Sequence, residues 1–106
     1  MPGEGYLLEL AFETDVIYWR GPSPFFYAPV PAEHVAALSQ AARPVSYGWG
    51  MVPVDVRIGE TAFTTSLFPK DGGYLLPLKA EVRKRTNITA GDRIAVELAI
   101  RAPELD

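Results

Sequence analysis

The side chains best suited to binding or chemistry lie in two short runs. The first, Lys79-Ala-Glu-Val-Arg83-Lys84-Arg85, carries four cations. On a helix Lys79 and Arg83 are four apart and share a face. Such a pair could hold a phosphate or carboxylate, or touch a nucleic-acid backbone. The plainer alternative is a solvated helix face with basic groups near the helix's negative end. The second run, Tyr47-Gly48-Trp49-Gly50, joins Trp19 and Phe25-Phe26-Tyr27 as a set of aromatics. Barrels can take a small molecule at one mouth, but aromatics in a narrow barrel are also its ordinary filling. Trp49 stands apart, because flanking glycines let a backbone approach a ligand closely. The expected ligand site is therefore Lys79, Arg83, Trp49 and Tyr47. A small anion would sit on the cations, with one of the two aromatics covering an apolar part.

Other constellations carry less. Ser66 and His34 with an acid would suggest a hydrolase triad, but Ser66 falls in a strand without the Gly-x-Ser-x-Gly turn that exposes a nucleophile. Gly72-Gly73 lacks the Gly-Lys-Ser/Thr and following helix of a phosphate loop. Asp71 and Asp92 read as turn formers. The chain has no cysteine and one histidine, which removes disulfides, thiolate nucleophiles and multi-histidine metal centres. No catalytic residue, metal or cofactor is expected. A binding module is favoured over an enzyme.

Composition sets the frame for these residues. With 106 residues, 48% hydrophobic and 22% charged, the chain suits a single globular domain over residues 1–106. The formal charge of −3 is concentrated in the first half, which disfavours nucleic acid unless a basic patch gathers elsewhere. No apolar run reaches the length of a membrane span, and the N-terminus lacks the order of a signal peptide. A cytoplasmic location is the default expectation, with no membrane partner and either a monomer or a homodimer.

The elements follow from periodicity. Gly5–Phe12 alternates, with Leu8, Leu10 and Phe12 on one face, and Val16–Trp19 suits a second strand. Arg20-Gly-Pro-Ser-Pro24 must break it. Phe25–Ala28 is a short apolar strand. A helix from about Ala32 to Ala42 then shows Val35, Leu38 and Ala42 to the core. Met51–Ile58 alternates cleanly, with Val52, Val54, Val56 and Ile58 inward, and Pro53 predicts an edge or a bulge. Thr61–Phe68, a glycine turn, buried Tyr74–Leu78, a helix over Lys79–Arg85 anchored by Val82, and a final strand after Gly91-Asp92 complete the chain. Ile88 is expected to latch the turn before that strand to the core. The fold predicted is mainly β: a small closed or nearly closed barrel of about six to eight short strands with one or two short helices.

Several of these marks recur together in a known family. The run Phe63-Thr-Thr-Ser-Leu-Phe-Pro69, then Gly73-Tyr-Leu-Leu-Pro-Leu-Lys79, Val82-Arg-Lys84 and Gly91-Asp92, resembles the bacterial domain-of-unknown-function family numbered nineteen-oh-five. Upstream, Trp19-Arg-Gly-Pro-Ser-Pro-Phe25, Val30-Pro31 and Tyr47-Gly-Trp-Gly50 fit in the same order, so the resemblance spans roughly Tyr6 to Ile100. It implies a small β-barrel without an established activity, found alone or beside a second small domain of the YdeI type. The stand-alone form is expected here, because little follows the last strand. A more distant similarity covers Leu76-Pro-Leu-Lys-Ala-Glu-Val-Arg-Lys84 and Ile88-Thr-Ala-Gly-Asp92, which resemble the AbrB-type swapped-hairpin motif. That similarity implies a DNA-binding regulator as the alternative to a small-anion module. A small enzyme stands third.

Overall fold

Both ends of the sheet belong to one stretch of chain. The computed structural model describes residues 5–22 and 24–103. Ser23, in the expected Arg20–Pro24 break, lies outside the described residues, as do the first four residues, on which the signal-peptide expectation partly rests. Seven strands form among those described: β1 (Tyr6–Asp15), β2 (Ile17–Trp19), β3 (Phe25–Pro29), β4 (Val52–Ile58), β5 (Thr61–Lys70), β6 (Gly73–Pro77) and β7 (Arg93–Arg101). All pairings are antiparallel, in the order β1-β7-β4-β5-β6-β3-β2. The outermost strands, β1 and β2, are consecutive and separated only by Val16. The sheet therefore curls into a half-barrel that is nearly closed.

Val16 is where the chain changes partner. Its amide donates to the Asp92 carbonyl and its carbonyl accepts from the Gly91 amide, each at 2.8 Å. From Ile17 onward the ladder is with β3. Between β1 and β3 the seam is held by a side chain: the Thr14 hydroxyl donates to the Pro29 carbonyl at 2.6 Å. Thr14 is the one buried polar residue among those described.

The inner face is one apolar cluster, including Phe12, Val16, Val52, Val54, Val56, Leu67, Leu76, Val96, Leu98 and Ile100. The alternation on β4 and β7 matches the predicted inward faces. The first helix divides into a 3-10 turn, Ala32–His34, and α1, Val35–Ala42. It adds Leu38 and Ala42 to the core, while Val35 is only half-buried. Ile88 is buried as expected.

Two local expectations need correction. β4 is not an edge strand, because β5 and β7 flank it. Yet its ladder with β7 covers only Asp55–Arg57, whereas that with β5 runs its whole length. Pro53 thus lies where the β7 ladder has not begun, and its missing N–H leaves no bond unmade there. The glycine turn after Thr61–Phe68 is also tighter than expected. β5 continues to Lys70, and the reversal is made by Asp71 and Gly72, both at positive φ (50° and 78°). Two such residues make a two-residue hairpin whose twist suits the flanking strands.

The seam predicts the effect of one substitution. Thr14→Val leaves the Pro29 carbonyl without its donor and should cost about 1–3 kcal/mol, whereas Thr14→Ser keeps the donor and should cost less. Urea-denaturation midpoints read this directly. A valine variant as stable as wild type would remove the hydroxyl from the seam.

Candidate functional site

The outward faces of β4 and β5 carry the polar residues. Because Val54 and Val56 point in, Pro53, Asp55 and Arg57 point out. The register sets Pro53 against Ser66 and Asp55 against Thr64 on β5, with Asp55 also against Ala99 on β7. A groove of about 610 Å³ lies over this face, lined by Tyr47, Met51, Pro53, Ser66, Lys79 and Arg101 among others. A contiguous hollow of about 700 Å³ continues past Asp55, Thr64 and Arg101 toward Glu9 and Glu97.

Tyr47 reaches the groove from a tight loop. After α1, the Tyr47 and Met51 backbones bond reciprocally at 3.0 and 2.9 Å, enclosing Gly48-Trp49-Gly50. The Tyr47 hydroxyl then meets the Ser66 hydroxyl at 2.6 Å. Whichever oxygen donates, the pair keeps one hydrogen unshared, so together it offers one O–H donor.

Lys79 enters from the opposite side through a change of backbone direction. β6 stops at Pro77, and the Leu78 amide bonds the Phe26 carbonyl at 2.9 Å. Lys79 itself is extended (φ −65°, ψ 157°) and serves as N-cap to a second helix, α2, Ala80–Thr86. It therefore stands before the helix rather than on its face. The predicted Lys79–Arg83 helical pair does not form as a side-chain pair. Only their backbones meet, the Arg83 amide donating to the Lys79 carbonyl at 3.0 Å.

Arg83 is committed elsewhere. Its Nε donates to the Leu78 carbonyl at 3.0 Å, and its guanidinium carbon sits 4.0 Å from the centroid of the Phe26 ring. Arg85 reaches Glu81 at 3.5 Å on the exposed helix surface, a pair worth little in water. Trp49 is 96% exposed and is not among the residues lining the groove. Of the four residues expected to form the site, the structure brings Tyr47 and Lys79 into one groove and leaves Arg83 and Trp49 outside it.

Charge in the groove is simple. Asp55 Oδ2 accepts from Arg101 Nη2 at 2.8 Å and from its Nε at 3.2 Å. Lys79 has no carboxylate partner among the described residues, so the lining carries one cation in excess. By contrast, Arg93 on β7 lies between two carboxylates of β1. Hydrogen bonding to Asp15, then the charge of Asp15, then Glu13, hold its guanidinium above its ordinary range. It keeps its proton at any working pH, and its role is to clip β1 to β7.

The remaining expectations also find their places. His34 packs against the Phe12 ring, with centroids 5.8 Å apart, while the hydrogen-bond partner of Ser66 is Tyr47. The structure gives no support to a Ser66–His34 pair. Among the described residues no group of three or more His, Cys, Asp or Glu side chains could hold a metal ion, and no helix is long and apolar enough to cross a membrane. Sequence reasoning missed Thr64, Ser66, Asp55 and Arg101 as neighbours of one groove. The signal was in the alternation of β4 and β5, whose polar members had to share the outer face.

Fold and groove together define a small β-barrel domain whose outer wall bears a polar, weakly cationic groove that runs on into a hollow edged by Glu9 and Glu97. The chain belongs to the family described as Domain of unknown function (DUF1905), whose model matches residues 12–98. A comparison with curated proteins finds no match to this chain.

The geometry separates Arg83 from Lys79. Replacing Arg83 by Met removes the Leu78 hydrogen bond and the Phe26 contact, and should lower stability by about 1–2 kcal/mol. Thermal or urea unfolding measures it. An unchanged midpoint would mean the guanidinium is idle in the fold.

Proposed function

We propose that this domain is a binding module and that the Tyr47–Lys79 groove receives a small anionic ligand. One observation carries this: a hydroxyl pair with a hydrogen to give (Tyr47–Ser66, 2.6 Å) and the Lys79 ammonium, without a carboxylate partner among the described residues, converge on one groove of about 610 Å³. That volume lies within the range of small-molecule sites. Phosphate and carboxylate oxygens accept from both kinds of donor, and charge-assisted bonds are the stronger ones. Arg101, ion-paired with Asp55 in the same lining, adds no net charge, so the excess cation of the groove is Lys79. Met51, Pro53 and Pro77 add apolar wall for whatever the anion is attached to. Duplex DNA has weaker support, because Arg83 and Arg85 of the basic helix already have partners in the fold.

Inorganic phosphate is a sufficient first probe. Titrated into labelled protein at constant ionic strength, it should move the amide resonances of Tyr47, Ser66 and Lys79 saturably. Lys79→Met should abolish that response, while Arg83→Met should leave it. Absence of any groove response, or equal binding by the Lys79 variant, would sink the assignment.

A further inference from the structure

The two tryptophans sit in opposite circumstances. Trp19 carries the Lys70 ammonium 4.3 Å from its ring centroid, and its indole lies so close over Gly21 that a Cβ there would collide with Nε1. Trp49 has no ring or cation partner among the described residues and is 96% exposed. Its exposure does not come from a loose loop. Three backbone hydrogen bonds fix the turn: Tyr47 to Met51, Met51 to Tyr47, and the Gly50 amide to the Tyr47 carbonyl at 3.1 Å. Gly48 and Gly50, on either side, hold φ of +58° and +94°, a region that strains any side-chain-bearing residue. The turn is thus built from residues that cost flexibility in the unfolded chain, and it holds a large apolar ring in water.

The feet of this turn are groove residues. Tyr47 and Met51 both line the groove that Ser66 and Lys79 also line, so the turn that carries Trp49 is rooted in the groove wall. A ring presented there, beside one excess positive charge, suits a ligand whose anionic end meets the cation and whose flat part meets the indole. Resting on the anion-binding role proposed above, we infer that the ligand is an aromatic anion, a planar ring bearing a phosphate or carboxylate, with Trp49 stacking on that ring. Tryptophan is well suited to this, since it supplies a wide rigid surface at small entropic cost. A non-planar apolar group of equal size would gain contact area but not the stacked geometry.

Three probes separate the possibilities: inorganic phosphate, cyclohexyl phosphate and phenyl phosphate, each titrated into wild type and Trp49→Ala by calorimetry and amide resonances. Wild type should bind phenyl phosphate about tenfold tighter than inorganic phosphate, with cyclohexyl phosphate between them. The Trp49 indole N–H, assigned with Trp49→Phe, should shift only with the phenyl compound. Trp49→Ala should keep the affinity for inorganic phosphate and lose most of the preference for phenyl. If the alanine variant retains the full preference, or the indole resonance is unmoved at saturation, the stacking role is overturned while the groove stands. If wild type binds none of the three, both assignments fall. If cyclohexyl and phenyl phosphate bind alike, the wall is apolar only and the aromatic assignment is overturned.

Discussion

The constraint on which the rest depends is that one stretch of chain must serve both ends of the sheet. β1 pairs with β7 and β2 pairs with β3, yet Val16 alone separates them. A flat seven-stranded sheet cannot satisfy that. Strand order and chain continuity together force the sheet to curl until its last strand meets its first. Val16 makes the exchange without losing a backbone bond, since both of its polar groups find the Gly91-Asp92 turn. Curling also turns the two edge strands toward one another, which limits the open N–H and C=O rows that edges present to other chains. No ladder joins β1 to β3 among the described residues, and there Thr14 supplies a bond from its side chain.

Once the sheet curls, inside and outside acquire different duties. The inner positions of β4 and β7 are valine, isoleucine and leucine almost throughout, because anything polar there would need a partner in a closed space. The outer positions are free of that demand, and it is there that Asp55, Thr64, Ser66 and Arg101 gather. The groove is a product of this division and of two departures from the sheet. Tyr47 arrives on a pinned turn, and Lys79 arrives because Pro77 ends β6 and the extended Lys79 swings the chain into α2.

Periodicity made most of the fold legible. The alternating strands, the helix core contacts Leu38 and Ala42, Val82 and the buried Ile88 follow from spacing alone, as does family membership from the order of the turns. Of the expectations that failed, two show local reasons. Pro53 does mark a gap in a ladder, but a strand can be central along half its length and open along the rest. Lys79 and Arg83 have helical spacing, yet the helix begins one residue after Lys79. A one-residue change at a helix boundary redirects a side chain from the helix face to the sheet wall, and boundaries are the least certain part of any pattern. The Tyr47–Ser66 pair could not have been read at all. It joins residues 19 apart through a register that only the folded sheet fixes.

The magnitudes bear on how such a groove would work. One exposed ammonium and one hydroxyl donor act in water, where each contact is worth on the order of 1 kcal/mol. Their sum corresponds to a bare anion held no tighter than roughly millimolar. Arg101 adds little, because Asp55 already takes its charge. Selective binding must therefore draw on surface beyond the anion contacts. The inner face has none to give, being filled by its own core. The groove walls themselves offer Met51, Pro53 and Pro77, and the turn rooted between Tyr47 and Met51 carries the larger, fully exposed indole of Trp49. A cation alone would make this groove a weak, promiscuous anion contact. The rigid turn that holds Trp49 in water is the feature that would make it selective.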